Sequence, residues 1–169
     1  MISSLRLIQR QKESISENLV AFMKSDVILS QIAASFIGDW ILTGPEEKTK
    51  TYFDVWDIVL RNHMPKTRPI LFRSCNRFID EKIASFTGRL NCVQRFSKGK
   101  GLLLICDTEN LLPSIFADTQ QCGQYRNTFF SIAELLKKEA QSPNCRFSQR
   151  LINDYVGEDE YIMRVLMIM

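Results

Sequence analysis

The chain carries its apolar residues in two rhythms, and the change between them falls at Pro65. Before it the period is helical. Leu29, Ile32, Ala33, Phe36, Ile37, Trp40 and Ile41 recur at i, i+3, i+4, i+7, i+8, i+11 and i+12, one face of an amphipathic helix. Thr43-Gly44-Pro45 breaks it. Upstream, residues 14–24 read as a shorter helix, with Ser14 as cap and Ile15, Leu19, Phe22 and Met23 on one side, after a polar lead-in over 1–13. Downstream, Tyr52, Val55, Trp56, Val59 and Leu60 mark a third helix that ends before Pro65. These aromatic stripes are read as core.

After Pro65 the apolar runs are short and strand-like. Residues 69–73 and 83–87 predict two strands, and Leu102 to Asp107 predicts a strand of the buried type. Leu90, Val93 and Phe96 place a helix over 89–97, with a turn at Lys98-Gly99-Lys100-Gly101. Residues 108–127 read as irregular. Phe129, Ile132, Ala133, Leu136 and Ala140 mark a helix stopped by Pro143, residues 142–153 read as loop, and 160–168 as the last strand. Helices first and short strands afterwards predict an α+β fold, N-terminal helices packed on a small mixed or antiparallel sheet. The length of 169 residues suits a single domain, with a helical part over 1–64 and a strand-rich part over 65–169.

Composition narrows the chemistry. Apolar residues make up 45% and charged residues 24%, ordinary globular usage without a run long enough for a membrane-spanning helix. The N-terminus lacks the apolar segment of a secretory leader. Five cysteines without a C-x-x-C pair point to reduced thiols and a cytoplasmic setting, of the producing cell or, for a delivered effector, of its target cell. His63 is the only histidine, so a Ser-His-Asp or Cys-His site would depend on it and a zinc site is not expected. Its position predicts a cation at a helix C-terminus. The net charge of +3 hides a split: residues 61–100 hold ten Lys/Arg against two acids, the remainder twelve against seventeen. A basic middle suits an anionic ligand or a solvated face.

Candidate chemistry sits at Gly157-Glu158-Asp159-Glu160, just before the last strand. If this segment is extended, Glu158 and Glu160 project from the same face, roughly 7 Å apart at Cα, and Asp159 points the other way. Like charges held close raise each other's proton affinity, which gives the pair functional interest beyond that of a solvated acidic loop.

In chain order the sequence then offers a strand ending in arginine (Leu71-Phe72-Arg73), a strand carrying hydroxyls (Ser85-Phe86-Thr87), and Glu-x-Glu opening the last strand. This resembles the mono-ADP-ribosyltransferases of the arginine–serine–Glu-x-Glu type, found among bacterial toxins and effectors and in phages. Asp57 to His63, followed by Pro69 to Arg73, is similar to the helix and first strand of the phage-type members, and the likeness spans about residues 50–168. Gly88 and Arg89 follow Thr87 where the family often has a second serine. The resemblance implies an ADP-ribosyltransferase-like fold and NAD as substrate, cleaved at the nicotinamide–ribose bond through an oxocarbenium-like transition state. It implies Arg73 for binding the dinucleotide and Ser85 for the nicotinamide ribose side and the orientation of the catalytic glutamate, with Thr87 in support. Glu160 would bind a ribose hydroxyl and oppose the developing positive charge. Glu158 would orient and deprotonate the acceptor, a protein arginine. Two non-enzymatic alternatives stand beside it: a degenerate transferase fold that binds a protein partner, and a small basic nucleic-acid-binding protein using residues 61–100.

Overall fold

The computed structural model describes residues 5–75, 83–97, 101–109 and 129–164. Helices α1 (Gln9–Lys24), α2 (Gln31–Leu42) and α3 (Lys50–Asn62) come first. Strands β1 (Ile70–Cys75) and β2 (Ile83–Thr87), helix α4 (Leu90–Ser97), strand β3 (Leu102–Asp107) and strand β4 (Phe129–Ser131) follow. Helices α5 (Ile132–Ala140) and α6 (Gln149–Tyr155) then lead to β5 (Glu160–Arg164). The fold is α+β, with six α-helices and a five-stranded sheet among the described residues. The strand order is β3-β1-β2-β5-β4, and every neighbouring pair is antiparallel.

The helical layer is built as its periodicity predicts. Ile15, Leu19 and Phe22 of α1, Phe36, Ile37 and Trp40 of α2, and Tyr52, Val55, Trp56 and Val59 of α3 are buried in one cluster. Its aromatic centre is a set of tilted and edge-on pairs, among them Phe36–Trp56 at 5.4 Å and Trp40–Trp56 at 5.7 Å between centroids. Ser30 caps α2, its Oγ accepting from the Ala33 amide at 3.2 Å. Buried Ser16 donates to Lys12 O and Val55 O, which seats α1 on α3.

Alternation along the strands divides the sheet into two faces. Phe130 and Ile162 turn to the helical layer and join its cluster. Phe129, Tyr161 and Met163 turn the other way and pack with Leu71 and Phe86. That alternation corrects the helix expected to begin at Phe129. Adjacent aromatic residues that must enter opposite cores need extended backbone, and Phe129 pairs with Met163 across β4 and β5. Ser131 then caps α5, accepting from the Glu134 amide at 3.1 Å.

Other boundaries also move. Ser14 is not a cap, because α1 begins at Gln9, where the Ile8 amide donates to Gln11 Oε1 at 3.0 Å. The loop expected over 142–153 contains the start of α6, capped by Ser148. A seven-residue helix with Ile152 as its one buried side chain has too little apolar periodicity to read. Strand β3 is an edge strand rather than a buried one, with Leu102, Leu103 and Ile105 between 47% and 64% exposed. The turn at 98–101 lies outside the described residues except for Gly101, and most of 108–127 and the end of the last strand lie outside them too. No described helix is long and apolar enough to cross a membrane.

His63 is the C-cap of α3 but not a cation. It packs against the Phe130 ring at 5.2 Å between centroids, and burial pushes its pKa down to about 4. Desolvation of the imidazolium outweighs the favourable helix dipole.

Candidate active site

Glu160 opens β5 opposite Thr87 of β2, which makes Ser85 its diagonal neighbour two residues further along that strand. The glutamate is only 6% exposed. Its two carboxylate oxygens are both engaged. Ser85 Oγ and Trp40 Nε1 donate to Oε2, the indole at 3.1 Å, and the Tyr155 hydroxyl donates to Oε1. An ionised carboxylate accepts and does not donate, and the three groups around it offer hydrogens: an indole N–H can do nothing else. Burial and the negative charge of Glu160 push the Tyr155 phenol far above its ordinary range, so it stays protonated and keeps its hydrogen to give. Three separate elements, α2, β2 and α6, thus fix one buried carboxylate.

Arg73 reaches the same place from β1. Its Nη1 donates to the Ser85 carbonyl at 2.7 Å, tying β1 to the strand that presents the Ser85 hydroxyl. Trp40, Lys48, Arg73, Ser85, Thr87, Tyr155, Glu158 and Glu160 line one cleft of about 860 Å³. That volume is in the range of small-molecule sites. Arg73, Ser85 and Glu160 therefore meet although 75 residues separate the last two.

The acidic pair does not have the geometry expected of extended chain. Glu158 closes a 3-10 turn, Val156–Glu158, and Asp159 adopts the left-handed conformation at φ 47° before β5 begins. Glu158 and Glu160 are thus not alternate residues of one strand face. Both still line the cleft, the first from the turn and the second from the sheet. Thr87 sets the position of that turn. Its Oγ1 donates to Glu158 O at 2.7 Å and accepts from the Arg89 amide at 3.1 Å. The Thr87 hydroxyl is thereby committed to holding backbone.

The same turn accounts for Gly88. Its amide donates to Asp159 O at 3.0 Å, and a Cβ there would lie 2.1 Å from Asp159 Oδ2. A serine in that position would push aside the Asp159 carboxylate, which follows the turn that carries Glu158.

The sequence does not single out Trp40, Tyr155 or Lys48 as site residues. Trp40 belongs to the apolar stripe of α2 and is buried as expected, yet its one polar atom faces Glu160. Lys48 Nζ lies 4.0 Å above the Trp40 ring. Burial lowers its pKa, and the charge of Glu160 partly opposes that. No periodicity could reveal either contact, since the first joins elements 120 residues apart and the second depends on how the irregular connection after α2 folds back.

Arg61 pairs with Asp57 at 3.0 Å, and Arg68 sits over the Phe129 ring. Scans of the chain against protein-family models, curated proteins and solved structures find no match.

Proposed function

We propose that this protein is a mono-ADP-ribosyltransferase that moves ADP-ribose from NAD to a protein side chain, with arginine as acceptor. The observation that carries the reading is the convergence of Arg73, Ser85 and Glu160 on one cleft, with Glu160 held by donors on both oxygens. The antiparallel sheet with helices on one face would then be the scaffold of that family.

In this reading the bond between nicotinamide and the ribose anomeric carbon breaks, and nicotinamide leaves with the electron pair. The sugar acquires oxocarbenium character. Glu160 opposes that charge from a fixed position, so little reorganisation is needed as the charge develops. Ser85 and Tyr155 keep its carboxylate in place. Arg73 faces the nucleotide while bracing β2. Glu158, on its separate turn, accepts a proton from the incoming guanidinium nitrogen as the new bond to the anomeric carbon forms.

The test is a pair of assays on two variants. Glu160→Gln keeps size but removes the charge, and both NAD hydrolysis and transfer should fall on the order of 100-fold or more. Glu158→Gln should spare much of the hydrolysis, since water can trap the cation, while transfer to an arginine-bearing acceptor falls steeply. Equal loss of both activities in the two variants would remove the division of roles. Absence of nicotinamide release by the wild type would leave a protein-binding module in place of an enzyme.

A further inference from the structure

Lys48 is out of character with its surroundings. The connection between α2 and α3 runs over the surface, and Gly44 to Glu47, Thr49 and Lys50 are all exposed. Past the buried Thr43 that ends α2, Lys48 is the residue of this connection that is half-buried, and it lines the cleft. The Trp40 ring beneath its ammonium offers a cation–π contact, which stabilises the charge but accepts none of the three N–H donors in the ordinary way. No carboxylate of the described residues lies within ion-pair distance of Lys48 Nζ, although Glu46, Glu158 and Glu160 line the same cleft.

We propose that Lys48 is the anion-recognising residue of this cleft and takes a phosphate group of the ligand, the diphosphate if that ligand is a dinucleotide. The inference rests on the nucleotide reading of the cleft for the ligand's identity, but not for the anion site itself. Three facts point to a phosphate. The ammonium is partly stripped of water, and burial works against its charge until an anion compensates. Lys48 lines a space of about 860 Å³, large enough for a nucleotide. The other cation on the cleft wall among the described residues, Arg73, already spends one donor on the Ser85 carbonyl. Lys48 also stands on the indole that holds Glu160, so an anion drawn to it would sit beside the carboxylate without displacing it. A cleft with a lysine and an arginine on its walls and a buried carboxylate matches a ligand with an anionic middle and a cationic end.

The experiment measures binding rather than turnover. Inorganic pyrophosphate, ADP-ribose and nicotinamide riboside are titrated at constant ionic strength into the wild type, Lys48→Met and Lys48→Arg. Calorimetry gives affinities, and the indole N–H resonance of Trp40 reports the site. Lys48→Met should weaken ADP-ribose or pyrophosphate about tenfold or more, the scale of one lost charge-assisted contact, and Lys48→Arg should recover most of it. Nicotinamide riboside, which has no phosphate, should change less than about twofold. A melting curve separates this from a merely structural clamp, which would lower stability and leave the ligand ratios alone. If pyrophosphate binding depends on Lys48 while neither ADP-ribose nor nicotinamide riboside binds, the transferase reading fails and the anion site stands. If neither pyrophosphate nor ADP-ribose binding depends on Lys48, the proposal is overturned, whatever the NAD assay shows.

Discussion

Removing one oxygen from Tyr155 is the cleanest perturbation of the site. Tyr155→Phe keeps the ring, which packs beside the helical core, and deletes only the hydroxyl that donates to Glu160 Oε1. That hydroxyl is the only donor to Oε1 among the described residues, and the glutamate is 6% exposed, so water replaces it poorly. A hydrogen bond to a charged group contributes about 1.5–3 kcal/mol net. Loss of roughly 2 kcal/mol should lower the melting temperature by about 4–8 °C in a chain of this length. The proposed catalysis should suffer as well, because the carboxylate is left anchored through Oε2 alone and can rotate about that anchor. On the transferase proposal, nicotinamide release is expected to fall about tenfold, mostly in kcat, since the bond would orient the group assigned to oppose charge in the transition state. A double-mutant cycle with Glu160→Gln isolates the charge-assisted part. Urea unfolding of the four proteins at pH 7 should give a coupling of about 1 kcal/mol or more. Stabilities that add to within about 0.5 kcal/mol would refute the claim that the phenol holds the carboxylate.

Gly88→Ala should destabilise by about 1 kcal/mol, because the new methyl meets Asp159 Oδ2, the movable end of a side chain, at 2.1 Å and presses more mildly on Asp159 Cγ at 3.1 Å and Tyr161 Cε1 at 3.2 Å. Asp159→Gly in the same chain should restore part of the loss, since it removes the carboxylate and suits φ 47° at that residue; urea midpoints without such rescue would disprove the clash. His63 predicts a pH dependence with a definite sign. Its folded pKa, about 4, lies below the ordinary 6.5, so its neutral form is the one that folds. The contribution is full above about pH 6.5 and is lost as pH falls towards 4, by up to about 3 kcal/mol. His63→Phe should flatten stability across that window, and an unchanged slope would place the proton uptake elsewhere.

The periodic parts of the molecule are legible in the amino-acid sequence alone. The stripe from Ile32 to Ile41 becomes α2, with Leu29 just before its Ser30 cap, and the apolar runs at 83–87 and 102–107 become β2 and β3 with those bounds. A long repeated pattern reports which side of an element avoids water, and water-avoidance is local information. Short elements carry too few repeats. For that reason α6 reads as loop and β4 as the first turn of α5. Nor can a run such as Leu102 to Cys106 say whether it lies inside the sheet or at its edge, since that depends on which strands take the neighbouring places.

Arg73, Ser85 and Glu160 can be nominated from their residue types and their order in the chain, but their meeting is a property of the sheet. The register that sets Thr87 opposite Glu160 brings Ser85 to the carboxylate across 75 residues. The Glu158–Glu160 spacing looks like one strand face in sequence, and a single left-handed residue, Asp159, decides otherwise. The indole nitrogen of Trp40 shows the limit most plainly. Its stripe determines that the ring is buried, because hydrophobicity is additive along a helix face. Where its one N–H points is decided by what α2 packs against, and a hydrogen bond spanning 120 residues has no trace in the local pattern.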